Sequence, residues 1–384
     1  GSAGNCCRGM INSDSLSAQT KPSAKRIEDF LKGGLPALSV EKALAEDMLL
    51  LDVRTAEEFA KGSIPGARSF PLFDDLERAE IGTIYKQVGR DAAVVKGLEF
   101  FEPRLQQFLL SLSAIKSQQL VVYCARGGMR SASVVRLLEE NGFRVSQMQG
   151  GYKYYRQFIL QQLENPTPPL IVLHGQTGVG KTLILQKLPD HLDLEGLAQH
   201  RSSLFGAINK TPRTQKDFEA LLVKKLSQLP EDLFLFVEGE SRKVGQVFIP
   251  QSIANAMKSG ILVLLKASLE TRISRIVEEY NICDEQSIQQ IDSILQSLKV
   301  ALGKVKVEQL RLWLKQGEIE NIVHMLLVDY YDPRYQHAMS GYDFELELSA
   351  EDLKQAAGEL ITFRNQMIVN HCQQSVSNVW LSFI

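Results

Sequence analysis

Two stretches of the chain alternate short apolar runs with amphipathic segments, and a proline-rich segment separates them. In the first, Met48-Leu49-Leu50-Leu51-Asp52-Val53-Arg54 reads as a strand buried on both faces that ends in a polar turn. Thr55-Ala56-Glu57-Glu58 has capping-box spacing and predicts a short helix. Ser63 to Ala67 is a turn, Leu120 to Tyr123 a second strand, and Ser131 to Glu140 a helix stopped at Asn141-Gly142. Phe143 to Met148 is a third strand, followed by a turn at Gly150-Gly151. Asn165-Pro166-Thr167-Pro168-Pro169 cannot continue a helix or a central strand. Beyond it the spacing predicts strands at Leu170–His174, Leu233–Glu238 and Ile261–Lys266, with a helix from Lys181. From Ser287 to about Tyr330, Leu, Ile and Val recur every three or four residues, the period of amphipathic helices. The last dozen residues carry no usable pattern.

This pattern predicts a disordered tail over residues 1–35, an α/β domain over 36–162 and a linker over 163–169. A second α/β domain follows over 170–345, helical in 287–330, and then a C-terminal helix and tail over 346–384. The 384 residues suffice for two ordinary cores. No apolar run approaches the roughly 20 residues that span a bilayer, so no membrane partner is expected. With 43 basic and 45 acidic residues the net charge is −2, which excludes a globally basic chain but not a local basic surface. The five cysteines, Cys6, Cys7, Cys124, Cys283 and Cys372, are odd in number and irregularly spaced. That argues against a disulfide framework and for a reducing, cytoplasmic setting. The start at Gly1-Ser2 suggests a trimmed fragment or an expression scar. Residues 1–26 lack a secretory core; an organellar transit peptide stays open, with Arg8 and Arg26 as its weak support.

Two loops carry chemistry. In Val121-Val122-Tyr123-Cys124-Ala125-Arg126-Gly127-Gly128-Met129-Arg130-Ser131 a cysteine stands between a strand and a helix. Helix N-terminal amides and nearby arginines favour thiolate over thiol, so Cys124 is a candidate nucleophile with Arg126 and Arg130 as its cations. A buried structural cysteine would not need two arginines and two glycines directly after it. Gly175-Gln176-Thr177-Gly178-Val179-Gly180-Lys181-Thr182 is a full P-loop match. Its glycines let amides point at phosphate oxygens, Lys181 reaches the same phosphates, and Thr182 suits a phosphate or a Mg2+ ion. No Cys/His cluster has metal-ligand spacing, so no metal site is assigned with certainty. Glu238 is the candidate acidic residue on the neighbouring strand; it and Glu240 read equally well as solvated turn carboxylates.

With Leu51-Asp52-Val53-Arg54, Glu58-Phe59 and Gly62-Ser63-Ile64-Pro65-Gly66-Ala67, the cysteine segment resembles a rhodanese domain. Ser63 stands where rhodaneses commonly have His. The spacing Cys124-x5-Arg130 equally fits rhodanese-related phosphatases. Further runs narrow the resemblance: Glu77 to Lys86, Gly150-Gly151-Tyr152-Lys153-Tyr154-Tyr155-Arg156, Asp193-Leu194-Glu195-Gly196 through His200-Arg201 to Phe205-Gly206, Val237 to Arg242, and Tyr330-Tyr331-Asp332-Pro333-Arg334-Tyr335. In this order, from about Leu50 to Tyr335, the chain resembles the tRNA 2-selenouridine synthases. Ala125 replaces the Trp usual after their cysteine, Ser202 a Gly and Gly239 an acidic residue, and Lys304-Val305 stands at a Gly-containing basic turn.

The resemblance implies a rhodanese-like α/β domain followed by a P-loop NTPase-like α/β domain with a helical C-terminal part. It implies a transferase that replaces sulfur with selenium in wobble 2-thiouridine of tRNA, by S-geranylation with geranyl diphosphate and then selenation from selenophosphate. No tightly bound cofactor is implied; these two small molecules are co-substrates. Cys124 becomes the selenium carrier or nucleophile, Arg126 and Arg130 hold the anionic donor, and Gly175, Gly178, Gly180, Lys181 and Thr182 hold diphosphate. Asp52, Arg54, Asp193, Glu195, His200, Arg201 and Glu238 become supporting residues.

On the residues alone two rivals stay open: a nucleotide-switched tRNA- or protein-binding module, and a rhodanese-like phosphatase fused to a P-loop kinase. A tRNA surface is not visible as a strong stripe. Its candidates are Lys153, Arg156, Arg201, Arg213, Lys216, Lys224, Lys225, Lys304, Lys306 and Arg311. Oligomeric state carries no signal.

Overall fold

The computed structural model describes residues 34–46, 48–201, 211–230, 233–239, 241–280 and 285–381, with the side chains of 280 and 370–381 left aside. The expected tail up to residue 33, with Cys6 and Cys7, lies outside the described residues, as do Cys283, Glu240 and the Ser202 to Gly206 part of the family-like run. The described chain forms two compact units that divide between Gln157 and Phe158, inside the helix Gly151–Gln162.

The first unit is built on a five-stranded parallel sheet in the order β1-β5-β4-β2-β3. Its strands are β1 (Ala37–Leu38), β2 (Leu49–Asp52), β3 (Arg68–Ser69), β4 (Gln119–Tyr123) and β5 (Arg144–Met148). The apolar runs read from the sequence are its central strands, with Leu51 opposite Val122 and Val121 opposite Ser146. Continuous apolar runs suit strands covered on both faces. Leu51, Leu120, Val122, Val134, Val135 and Leu138 are among the residues of its core. The capping box forms as predicted: Thr55 Oγ1 accepts from Glu58 N, and Glu58 Oε2 accepts from Thr55 N. Three helices over Asp75–Gln87, Arg90–Phe101 and Leu105–Leu112 fill the stretch in which the periodicity had marked no element.

The second unit carries another five-stranded parallel sheet, in the order β12-β11-β6-β8-β7. Here β6 is Leu170–His174, β7 His191–Leu192, β8 Leu235–Glu238, β11 Ile261–Lys266 and β12 Leu346–Ser349; β9 (Lys243–Val244) and β10 (Val247–Phe248) form a separate antiparallel ribbon. β12 had no strand signature, because only four residues alternate in it and β11 alone pairs with it. Leu348, Ala350, Ala356, Leu360 and Phe363, the last three on the helix Leu353–Leu381, join Ile171 and Phe236 in one core. Residues 346–363 therefore pack into the P-loop sheet. The proline segment also ends in it, since the Pro169 carbonyl accepts from Leu235 N. The helical stretch is a bundle of Glu285–Ser297, Lys299–Leu302, Lys304–Gln316 and Ile319–Leu326, continued by a π-helical turn, Leu327–Tyr331, into Asp332–Met339. Among the described residues no helix is long and apolar enough to cross a membrane.

Candidate functional site

Open parallel sheets bind ligands beyond the carboxyl ends of their strands, where the strand order reverses. In the first sheet that point lies between β2, which leads to β3 on one side, and β4, which leads to β5 on the other. Asp52 ends β2, and Cys124 directly follows β4.

Cys124 is buried at 3% exposure. Its Sγ accepts from Gly128 N at 3.3 Å and lies 3.2 Å from Ser131 Oγ. Gln147 on β5 steadies this arrangement by donating to Ser131 Oγ at 2.8 Å and to the Gly127 carbonyl at 3.0 Å. Burial pushes the thiol pKa up, but the Ser131 hydroxyl, the backbone amides of Arg126 and Ser131 and the Arg130 charge outweigh it. The net direction is down, toward thiolate.

The two arginines differ. Arg126 is exposed and has no ion-pair partner among the described residues. Arg130 is held by Glu58, with Nη1 donating to Oε2 at 2.7 Å and Nη2 to Oε1 at 3.2 Å. Burial raises the Glu58 pKa, yet the bonds from Arg130 and Thr55 N bring it below the ordinary carboxylate value. Arg130 thus acts on the thiol through its field.

Asp52 and Arg54 form a buried pair in which Arg54 Nη2 donates to Asp52 Oδ2 at 2.6 Å and to the Gly62 carbonyl at 2.8 Å. The guanidinium lies 3.8 Å from the centre of the Tyr152 ring, a close cation–π contact. Tyr152 N in turn donates to the Cys124 carbonyl, and Lys153 N to that of Ala125, both at 2.9 Å. Gly151, at φ +57°, has no room for a Cβ, which would meet the Cys124 carbonyl and Gly127 N. The family-like run at 150–156 is therefore the seat of the cysteine loop.

In the second unit the corresponding reversal lies between β6 and β11, where the P-loop leaves β6. Gly178 (φ +82°) and Gly180 (φ +95°) take left-handed conformations. A Cβ at Gly178 would meet Ile276 Cδ1 at 2.7 Å, and one at Gly180 would meet Leu353 Cδ2 at 2.9 Å. Lys181 Nζ donates to the Gly175 carbonyl at 2.9 Å. Two arginines that the sequence reading missed hold the loop from the helix Leu269–Tyr280. Arg272 Nε donates to the Thr177 carbonyl at 2.9 Å and Arg275 Nη1 to that of Val179 at 2.6 Å. Their three-residue spacing is the available signal, since it puts both on one helix face.

The loop opens into a cavity of about 290 Å³ whose polar end is formed by Gly175, Gly178, Gly180, Lys181 and Thr182. Glu195, Arg201, Glu238, Arg275 and Glu279 also line it, and Arg201 pairs with Glu279 at 2.8 Å. Glu238 is 2% exposed, so it is a buried strand-end carboxylate and not a solvated turn residue. Apolar side chains from two packed clusters line it as well, Ile276, Val323 and Leu327 from one and Ile291, Leu314 and Ile322 from the other, with Tyr331 packed against both.

Two of the supporting residues in this unit do not line the cavity. Asp193 caps the helix Leu194–Ala198 through Gly196 N, and the His200 ring packs against Gly245. His174, at the end of β6, lies edge-on to Tyr342 and Phe344. Burial and then the Lys181 charge press its pKa down to about 4. No group of three or more His, Cys, Asp or Glu among the described residues is arranged to hold a metal.

Of the candidate tRNA-contacting cations, Arg213 is bonded to the Gly196 and Leu197 carbonyls, Lys306 pairs with Asp329 and Arg311 with Asp292. Lys153, Lys224 and Lys304 are exposed.

Residues 37–157 match the rhodanese-like domain model, and residues 168–357 match the model of the tRNA 2-selenouridine synthase AAA domain. Among curated proteins, a tRNA 2-selenouridine synthase of Alcanivorax borkumensis is 35% identical over 77% of this chain and 90% of its own length. One of Pseudomonas syringae pv. tomato is 36% identical over 76% and 88%, and one of Shewanella woodyi 32% over 79% and 92%. With both domain models matched in order and full-length relatives above 30% identity, the chain belongs to the tRNA 2-selenouridine synthase family.

Proposed function

We propose that the chain replaces sulfur by selenium in wobble 2-thiouridine of tRNA, first alkylating the sulfur with geranyl diphosphate and then displacing the geranylthiol with selenium from selenophosphate. Family membership makes it a tRNA-modifying transferase; the two-step chemistry is the finer reading. The observation that carries it is the shape of the P-loop cavity. A nucleotide would call for polar groups around a base and ribose beyond the phosphates. Here, beside the charged groups Glu195, Arg201 and Glu279, the lining beyond the loop holds a set of aliphatic side chains from Ile276 to Leu314, which suits an isoprenoid tail. Each methylene that leaves water for such a wall contributes about 0.8 kcal/mol.

In the first step the thiocarbonyl sulfur attacks C1 of the geranyl group, the C–O bond breaks and diphosphate leaves. Lys181 and the loop amides meet the charge that grows on the leaving oxygens. Thr182 and Glu238 both line the cavity and would be the residues to hold a Mg2+ ion, which would offset charge on the leaving diphosphate. In the second step alkylation has turned sulfur into a better leaving group. The Cys124 thiolate, kept nucleophilic by Arg130 and Ser131, attacks C2 of the alkylated base and expels geranylthiolate, which takes a proton from water. The selenium of selenophosphate, met by the exposed Arg126, then attacks C2 and expels the Cys124 thiolate. Water takes the phosphoryl group as the P–Se bond breaks, leaving 2-selenouridine and phosphate.

The test is mass analysis of nucleosides from 2-thiouridine tRNA incubated with the protein. Geranyl diphosphate alone should yield S-geranyl-2-thiouridine, and added selenophosphate should convert it to 2-selenouridine. ATP hydrolysis with neither product would overturn the reading in favour of a nucleotide switch.

A further inference from the structure

We propose that Ile291 and Leu314 form the end wall that limits the isoprenoid length accepted by the P-loop cavity. The inference rests on the geranyl diphosphate reading above and deepens it. Packing gives the order of residues along the slot. Ile276 touches the P-loop, its Cδ1 standing 2.7 Å from where a Gly178 Cβ would be. It clusters with Val323 and Leu327. Ile319 and Tyr331 pack against that cluster and also against a second one, which contains Ile291, Leu314 and Ile322. Since all of these line the same cavity, the slot runs from Gly178 past Ile276 to Ile291 and Leu314.

These two residues come from different helices, Glu285–Ser297 and Lys304–Gln316, and are 3% and 5% exposed. The end is therefore closed by packed side chains.

The test is equilibrium binding of the full chain to inorganic pyrophosphate and to dimethylallyl, geranyl and farnesyl diphosphates. The parent should bind geranyl diphosphate at least tenfold more tightly than either pyrophosphate or farnesyl diphosphate. Leu314→Ala should move the farnesyl-to-geranyl ratio at least tenfold toward farnesyl. Ile291→Phe should weaken geranyl binding at least tenfold and keep dimethylallyl binding. Should either variant fail to fold by circular dichroism, Leu314→Val and Ile291→Val must shift the same ratio a few-fold toward farnesyl. An unchanged ratio in folded variants, with geranyl diphosphate still preferred to pyrophosphate, overturns the end-wall assignment and leaves the functional reading standing. Equal affinity of the parent for pyrophosphate and geranyl diphosphate overturns both.

Discussion

Arg272 and Asp332 form a bidentate ion pair across sixty residues of sequence, with Nη2 2.6 Å from Oδ1 and Nη1 2.9 Å from Oδ2. The third donor of the same guanidinium, Nε, bonds the Thr177 carbonyl within the P-loop. Asp332 directly follows the π-helical turn whose Leu327 and Tyr331 wall the apolar slot. One planar side chain thus connects the loop at the polar end to the segment that walls the apolar end.

Removing one partner of a buried ion pair costs about 3 kcal/mol or more, and Arg272 is 2% exposed. Arg272→Ala should lower the melting temperature by about 6 °C or more in a unit of this size. Affinity for pyrophosphate should fall at least tenfold, since the Thr177 carbonyl loses its anchor. Arg272→Lys keeps the charge but not the fork, and should recover stability only in part. Calorimetry and pyrophosphate titration decide; an unshifted melt in Arg272→Ala would remove the clamp.

Lys181→Ala should stall the proposed reaction before geranylation. Loss of one contact to a charge that develops in the transition state costs ~3 kcal/mol, about a hundredfold in rate. Given pre-geranylated tRNA and selenophosphate, the variant should still form selenouridine through Cys124. Equal loss on both substrates would assign the P-loop to the whole reaction.

The Cys124 thiol should react with a small alkylating reagent with a pH midpoint below that of an ordinary cysteine. Ser131→Ala removes the strongest of the groups that lower it, so the midpoint should move up and alkylation at neutral pH should slow. Glu58→Gln frees Arg130, which can then approach or leave the thiol, and the midpoint should change again. Identical pH profiles in all three proteins would mean the loop does not tune the sulfur. Cys124→Ala should abolish selenouridine formation with the fold intact.

His174 makes stability pH-dependent in a definite direction. Its folded pKa is about 4 against an ordinary 6.5, so between these values the unfolded chain binds the proton more readily. Stability is full above pH 6.5, falls as the pH drops toward 4, and levels off below. The total effect is on the order of 3 kcal/mol. His174→Phe should flatten that part of the curve, read as the difference in urea midpoint between pH 7 and pH 5. An unchanged difference would place the acid sensitivity elsewhere.

The central strands, the Thr55 cap and both loops were legible because each is local: a continuous apolar run, a box of four residues, a glycine pattern at fixed spacing. β12 and its pairing with β11 were not, because a four-residue edge strand is specified by its partner and not by its own period. Arg272 and Arg275 were missed for a related reason. A cation on an amphipathic helix looks like a solvated one until the carbonyls it serves, almost a hundred residues away, are known. Arg130 was seen as a cation for an anionic donor, but its bond to Glu58 joins residues 72 positions apart.

The absence of space for a side chain at Gly151 bears on how this chemistry can be moved between proteins. The Cys124–Gly128 segment holds its shape only while Gly151 lies flat against it and Tyr152 bridges to Arg54. A graft of those five residues onto another strand–loop–helix would carry the cysteine without its mould. The smallest transplantable unit is discontinuous, made of the loop, the 150–152 turn and the Asp52–Arg54 pair. In a selection for altered chalcogen use, rewarding changes should accordingly arise as pairs split between the loop and the turn.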